Sequence, residues 1–151
     1  MSKEQINEIA NKIAQYRGVI IHDSISIDAL IGSIIAVYFA RDDKNNEFNR
    51  KIINDEYFSF GLKIRILEKL NFDVYKGFFE DIRRMNNIRN LFAHQVPTLD
   101  EGFICQDFKK EKNETKYMSD LHKEFLEKIK KVDKQLHKTF FDLVEKNKRE
   151  K

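Results

Sequence analysis

Proline occurs once in the 151 residues, at Pro97, and the five glycines stand alone at positions 18, 32, 61, 77 and 102. A chain with so little turn chemistry cannot punctuate many short strands, because tight hairpins draw on Gly, Pro and pairs such as Asn-Gly. The expected fold class is therefore all-α. Thirteen phenylalanines and a 41% apolar share supply core material, and 35% charged residues suit a water-facing surface. That length and balance fit a single domain over residues 1–151.

Apolar spacing places the helices. Ile6, Ile9, Ala10 and Ile13 predict a short first helix that ends near Gly18, with Tyr16 and Arg17 as its last turn. A second helix is expected over about 19–41, where Ile20, Ser24, Ile27, Ile31, Ile34 and Tyr38 recur at three- and four-residue steps. Leu30, Ile35, Val37 and Phe39 widen its apolar arc, which predicts burial on most sides. Its longest apolar run covers 12 residues, 29–40. Spanning a bilayer takes roughly 20, so no membrane is expected among the partners.

The polar segment 42–54 reads as a connection holding a short helix around 48–53. Ser59 is placed to cap a third helix that carries Leu62, Ile66, Leu67 and Leu70 and ends at Asn71. A fourth carries Phe78, Phe79, Ile82, Met85, Ile88 and Phe92 and stops before Pro97. Residues 98–117 lack a helical period and read as a loop or an irregular hairpin. The final helix, about 119–147, is long and amphipathic. Its stripe of Leu121, Phe125, Ile129, Val132, Leu136, Phe140 and Leu143 packs either on its own bundle or on another subunit.

The net charge is +3, yet residues 109–151 hold 14 Lys and Arg against 9 Asp and Glu, a local excess of +5. Because the two signs alternate there, this reads as a solvated helix face rather than a nucleic-acid tract. A single cysteine, Cys105, excludes an internal disulfide, and the first residues lack the basic-then-apolar order of a secretory leader. The expected location is cytoplasmic. Cys105 has no activating base near it in sequence and reads as an inert thiol. His22 beside Asp23 reads as a polar notch or a dimer-seam contact. The four histidines, His22, His94, His122 and His137, show no zinc-site spacing, and the isolated glycines build neither a P-loop nor a dinucleotide turn. Neither a metal nor a cofactor is expected.

The most informative stretch is 81–96, DIRRMNNIRNLFAHQV. On a wheel of about 100° per residue, Phe78, Ile82, Met85, Ile88 and Phe92 share an arc of about 120°, the core face. Arg83, Asn87, Asn90 and His94 form a second, polar stripe. Arg89 falls at the edge of the apolar arc. A guanidinium there needs a polar partner: an internal carboxylate, helix-end carbonyls or a phosphate. His94 either caps carbonyls or belongs to a site. Asn90 and His94 are i, i+4 neighbours and Arg89 lies on the adjoining turn, a set of residue types that can manage a phosphodiester without a metal.

RNLFAH at residues 89–94 resembles the R-x4-H signature of HEPN domains, including the Asn that many members carry after the Arg. The segments RGVIIHDSISIDALIGSIIAVYF, FSFGLKIRILEKL and FFEDIRRMNNIRNLFAH resemble, in order and spacing, the mannitol-repressor-like branch of that superfamily. The likeness covers about residues 17–97. It implies an α-helical bundle that commonly dimerises so that two copies of the motif face one cleft, and metal-independent RNA cleavage in the active members. On that pattern His94 is the general acid/base for attack of a ribose 2′-hydroxyl, and Arg89 stabilises charge on the phosphoryl oxygens. Asn90 orients His94 or the phosphate. Arg83, Arg84 and Asn87 either extend the phosphate-binding surface or form a solvated helix side.

The function these readings lead to is a homodimeric, metal-independent endoribonuclease, with RNA as substrate, in a toxin or phage-defence setting where an antitoxin or regulatory protein restrains it. The alternative is a non-catalytic regulator or adaptor similar to the mannitol-repressor-like proteins. No helix-turn-helix pattern supports sequence-specific DNA binding.

Overall fold

Ser2 and Gln5 cap each other's backbone: Ser2 N–H donates to Gln5 Oε1 at 2.8 Å, and Gln5 N–H donates to Ser2 Oγ at 3.2 Å. This reciprocal box starts helix α1, which runs without a break from Lys3 to Phe39. The computed structural model describes residues 2–40, 44–55, 58–98, 100–107 and 110–149. The expected helix end at Arg41 and the start of the polar connection at Asp42 and Asp43 lie outside them.

Two helices were expected where α1 is one. Gly18 does not end it, because a lone glycine costs only about 1 kcal/mol relative to Ala and no proline or cap follows. The isoleucines explain the continuity. Ile13, Ile20, Ile27 and Ile34 recur every seven residues straight through Gly18, half-buried at Ile13 and buried from Ile20 on, whereas Ile6, one step earlier, is 48% exposed.

After α1 come the short helix α2 (Asn45–Phe48), a π-helical turn (Asn49–Ile53), α3 (Phe60–Lys69) and α4 (Phe78–His94). Strands β1 (Gly102–Asp107) and β2 (Lys112–Tyr117) form an antiparallel hairpin, and α5 (Met118–Arg149) ends the chain's described part. The fold is all-α but for that hairpin among the described residues, with the long amphipathic C-terminal helix as expected. Ser59 caps α3 by accepting the Leu62 N–H at 3.3 Å.

The chain divides into two compact units, each built from separated segments: Met1–Ser24 with Arg84–Ile129, and Ile25–Arg83 with Lys130–Lys151. Helices α1, α4 and α5 pass from one to the other. In the second unit, Ile27, Ile31, Ile34, Ile35, Ile53, Ile64, Leu67, Phe78 and Ile82 are buried with Val132 and Leu136. Lys63, only 3% exposed, sits 3.0 Å from both carboxylate oxygens of Asp28, since an ammonium taken out of water needs a counter-charge. Gly32 leaves room for the π-helical turn; a Cβ there would lie 2.8 Å from Ile53 Cγ2.

Burial of α1 on most sides is not what the structure shows. Ile25 is 62% exposed, Tyr38 47% and Phe39 58%. In this unit the partners of α1 include Ile53, Lys63 on α3, Phe72 and Asn147 on α5. By length and composition alone α1 also passes for a membrane-crossing helix, with a mean hydropathy of 1.7 over 18 residues.

In the first unit the core is Ile20, Met85, Ile88, Phe92, Phe103, Met118, Leu121 and Phe125. The hairpin adds Phe103, fully buried and edge-to-face with Phe92 at 5.0 Å between centroids. Thr98 latches its base: its N–H donates to the Gly102 carbonyl at 2.7 Å, and its hydroxyl accepts the Gly102 N–H at 3.2 Å. Gly102 admits no side chain, because a Cβ would meet Thr115 Cγ2 at 2.6 Å. The stretch expected as a loop or irregular hairpin is thus a regular one that packs on the last turns of α4. Phe103→Ala should cost about 3–5 kcal/mol, read as a lower midpoint in urea unfolding, because it removes a buried ring from that contact.

Candidate active site

Helix α4 carries three arginines, and the structure treats them differently. Arg83 pairs with Glu68 at 2.5 Å in the second unit. Arg84 makes a bidentate pair with Glu124, Nε and Nη2 each donating at 2.7 Å. Those hydrogen bonds hold the Glu124 carboxyl below the ordinary carboxylate range and the Arg84 guanidinium above its usual value. Arg89 has no carboxylate partner among the described residues. Its one hydrogen bond runs from Nη1 to Oδ1 of Asn90, at 3.1 Å.

The wheel placed these residues well. Arg89 and Asn90 are half-buried, beside the buried Ile88 and Phe92, whereas Arg83, Asn87 and His94 are exposed. Of the six positions singled out, Arg89 and Asn90 are in direct contact, and His94 stands one turn beyond Asn90 on the same helix. Arg83 and Arg84 are taken up by carboxylates and offer no free cation, while Asn87 lies open on the helix surface.

The sequence reading missed Arg17. With α1 continuous, Arg17 lies within the helix rather than at its end, four residues after Ile13 and three before Ile20. Its Nη2 donates to the backbone carbonyl of Gln95 at 2.8 Å, beside His94 and just past the end of α4. A cation is drawn there by the carbonyls that a helix C-terminus leaves unpaired. Its Nε is buried with no hydrogen-bond partner among the described residues. A guanidinium flanking an apolar seam in mid-helix was the available signal, legible once the Ile repeat is followed through Gly18.

Elsewhere in this unit, Tyr16 and His122 stack at 4.5 Å between ring centroids, tilted by 31°. Burial pushes the His122 imidazole below the ordinary histidine value, against the raising influence of Asp23. Cys105 is a half-buried free thiol whose Sγ lies 3.8 Å from the Phe103 carbonyl. Among the described residues no three His, Cys, Asp or Glu side chains cluster as metal ligands.

Because the folded chain resists a proton at His122 that the unfolded chain accepts, the contribution of this group to stability is complete above about pH 6.5 and is lost as pH falls below it. Unfolding free energies measured from about pH 7 down to about pH 5 should decline more steeply for the wild type than for His122→Phe, which keeps the ring stack and cannot titrate.

Compared with protein-family models, with curated proteins and with solved structures, the chain matches none.

Proposed function

We propose that the chain is a metal-independent endoribonuclease of the HEPN type, with Arg89, Asn90 and His94 as its catalytic group. The observation that carries this reading is selective neutralisation. Two arginines of α4 are matched by carboxylates, and the third, inside the RNLFAH motif, is held among the described residues only by the amide oxygen of Asn90. A half-buried guanidinium without a counter-charge is a site for an anion, and its planar fork suits a phosphodiester.

The chemistry follows from the residues. The His94 imidazole takes the proton of a ribose 2′-hydroxyl, the oxygen attacks the adjacent phosphorus, and the 5′-oxygen leaves. Arg89 stabilises charge that grows on the phosphoryl oxygens. Asn90 fixes Arg89 through the 3.1 Å bond, which leaves its amide N–H groups to donate to the phosphate. Arg17, anchored beside His94, adds a second cation for the backbone. The leaving oxygen needs an acid, which His94 of a second copy supplies in the dimer that the resemblance implies. Products end in a 2′,3′-cyclic phosphate and a free 5′-hydroxyl.

Incubated in EDTA with mixed cellular RNA and tRNA, the folded chain should cut, and His94→Ala should lower the rate about 10²–10⁴-fold and Arg89→Ala about 10²–10³-fold. Unchanged cutting by both variants would sink the assignment. Light scattering should give twice the 18.1 kDa chain mass, and an active monomer would remove the second imidazole from the mechanism.

A regulatory or adaptor role is the second reading. Val96 at 85% and Ile104 at 53% exposure, both in the first unit, favour it as apolar contacts for a protein partner such as an antitoxin. It gains if wild-type protein, folded and dimeric, leaves RNA intact.

A further inference from the structure

The second unit contains a cavity of about 370 Å³ between the end of α1, the segment that follows α3, and α5. Its size lies within the range of small-molecule sites. One wall is aromatic. Tyr38 and Phe72 meet edge-to-face at 5.8 Å and 89°, and Leu143 lies beside them.

Hydrogen bonds tie the backbone around the cavity to α5. Asn71 takes the left-handed conformation, with φ of 54°, and turns the chain at the end of α3. Gln135 Nε2 on α5 then donates to the Asp73 carbonyl at 3.2 Å, tying that turn to α5. Asn147 Nδ2 donates to the Val37 carbonyl at 3.2 Å, tying the end of α1 to the same helix.

The charges are the telling feature. Lys138, Lys146, Asp73 and Asp142 line the cavity; Lys146 has a partner elsewhere, and none of the side chains of Lys138, Asp73 and Asp142 has an ion-pair or hydrogen-bond partner among the described residues. Lys138 and Asp142 are i, i+4 neighbours on α5, a spacing at which opposite charges commonly pair, yet here they do not. Unpaired groups of both signs beside an aromatic wall match a small ligand that carries both signs and a ring.

We propose that this cavity binds a free aromatic α-amino acid as its zwitterion. The ammonium is received by Asp73 and Asp142, the carboxylate by Lys138, and the side chain lies against Tyr38 and Phe72. A nucleoside monophosphate shares the ring and the anion but lacks the ammonium that two carboxylates would receive. The inference is independent of the ribonuclease reading, which concerns the other unit.

The test titrates the full chain calorimetrically with L-phenylalanine, N-acetyl-L-phenylalanine, L-phenylalanine amide and L-alanine. L-phenylalanine should bind with a Kd of roughly 1 mM or tighter, and blocking either charged group or removing the ring should weaken it about tenfold. Lys138→Gln, at an exposed position that folding tolerates, should bind L-phenylalanine and its amide alike. Asp142→Asn should narrow the gap between L-phenylalanine and its N-acetyl form. Absence of L-phenylalanine binding, equal binding of all four compounds, or an unaltered ranking in both folded variants would overturn the proposal. So would tighter binding of a nucleoside monophosphate at the same residues.

Discussion

Ile20, Ile27 and Ile34 repeat every seven residues along α1, and each is buried. Much of the structure depends on that seam, because one uninterrupted helix supplies core to both compact units. In the first unit it sets Arg17 against the end of α4. In the second it sets Asp28 against the buried Lys63 and Gly32 beside Ile53.

Helix α4 shows how packing and electrostatics share one segment. Its apolar stripe of Phe78, Ile82, Met85, Ile88 and Phe92 is buried throughout, so the rotation of the helix is fixed. Phe103 from the hairpin presses on Phe92, inside the very motif that carries Arg89 and His94. With the rotation fixed, the polar residues have no freedom to exchange roles. Arg83 and Arg84 reach carboxylates, and among the described residues Arg89 reaches only Asn90. The cation left over is therefore a consequence of packing.

Local signals in the sequence were legible where the physics is local. Ser59 as a cap, Pro97 as a stop and the apolar stripe of α4 all act within a turn or two, and each element appears where those residues place it. The half-buried setting of Arg89 also followed from the wheel alone. What could not be read depended on partners far along the chain. Glu124 lies 40 residues from Arg84, Gln95 lies 78 from Arg17, and nothing in the local pattern names such pairs. The hairpin was obscure for another reason: its register rests on Thr98, Gly102 and Phe103, whose roles are tertiary. Gly18 misled because a lone glycine is a weak breaker, outweighed by a continuous apolar seam.

On the proposed function, Arg89 is kept free for a phosphate. The most direct measurement is a titration of isotope-labelled full-length protein with a 2′-O-methyl oligoribonucleotide, which binds but cannot be cut, followed by NMR of the guanidinium, amide and imidazole groups. The side-chain signals of Arg89, Asn90 and His94 should move together, with Arg17 beside them, while those of the carboxylate-paired Arg84 stay in place. Signals of Arg89 and His94 that stay still while others shift, or no shift anywhere, would contradict the claim.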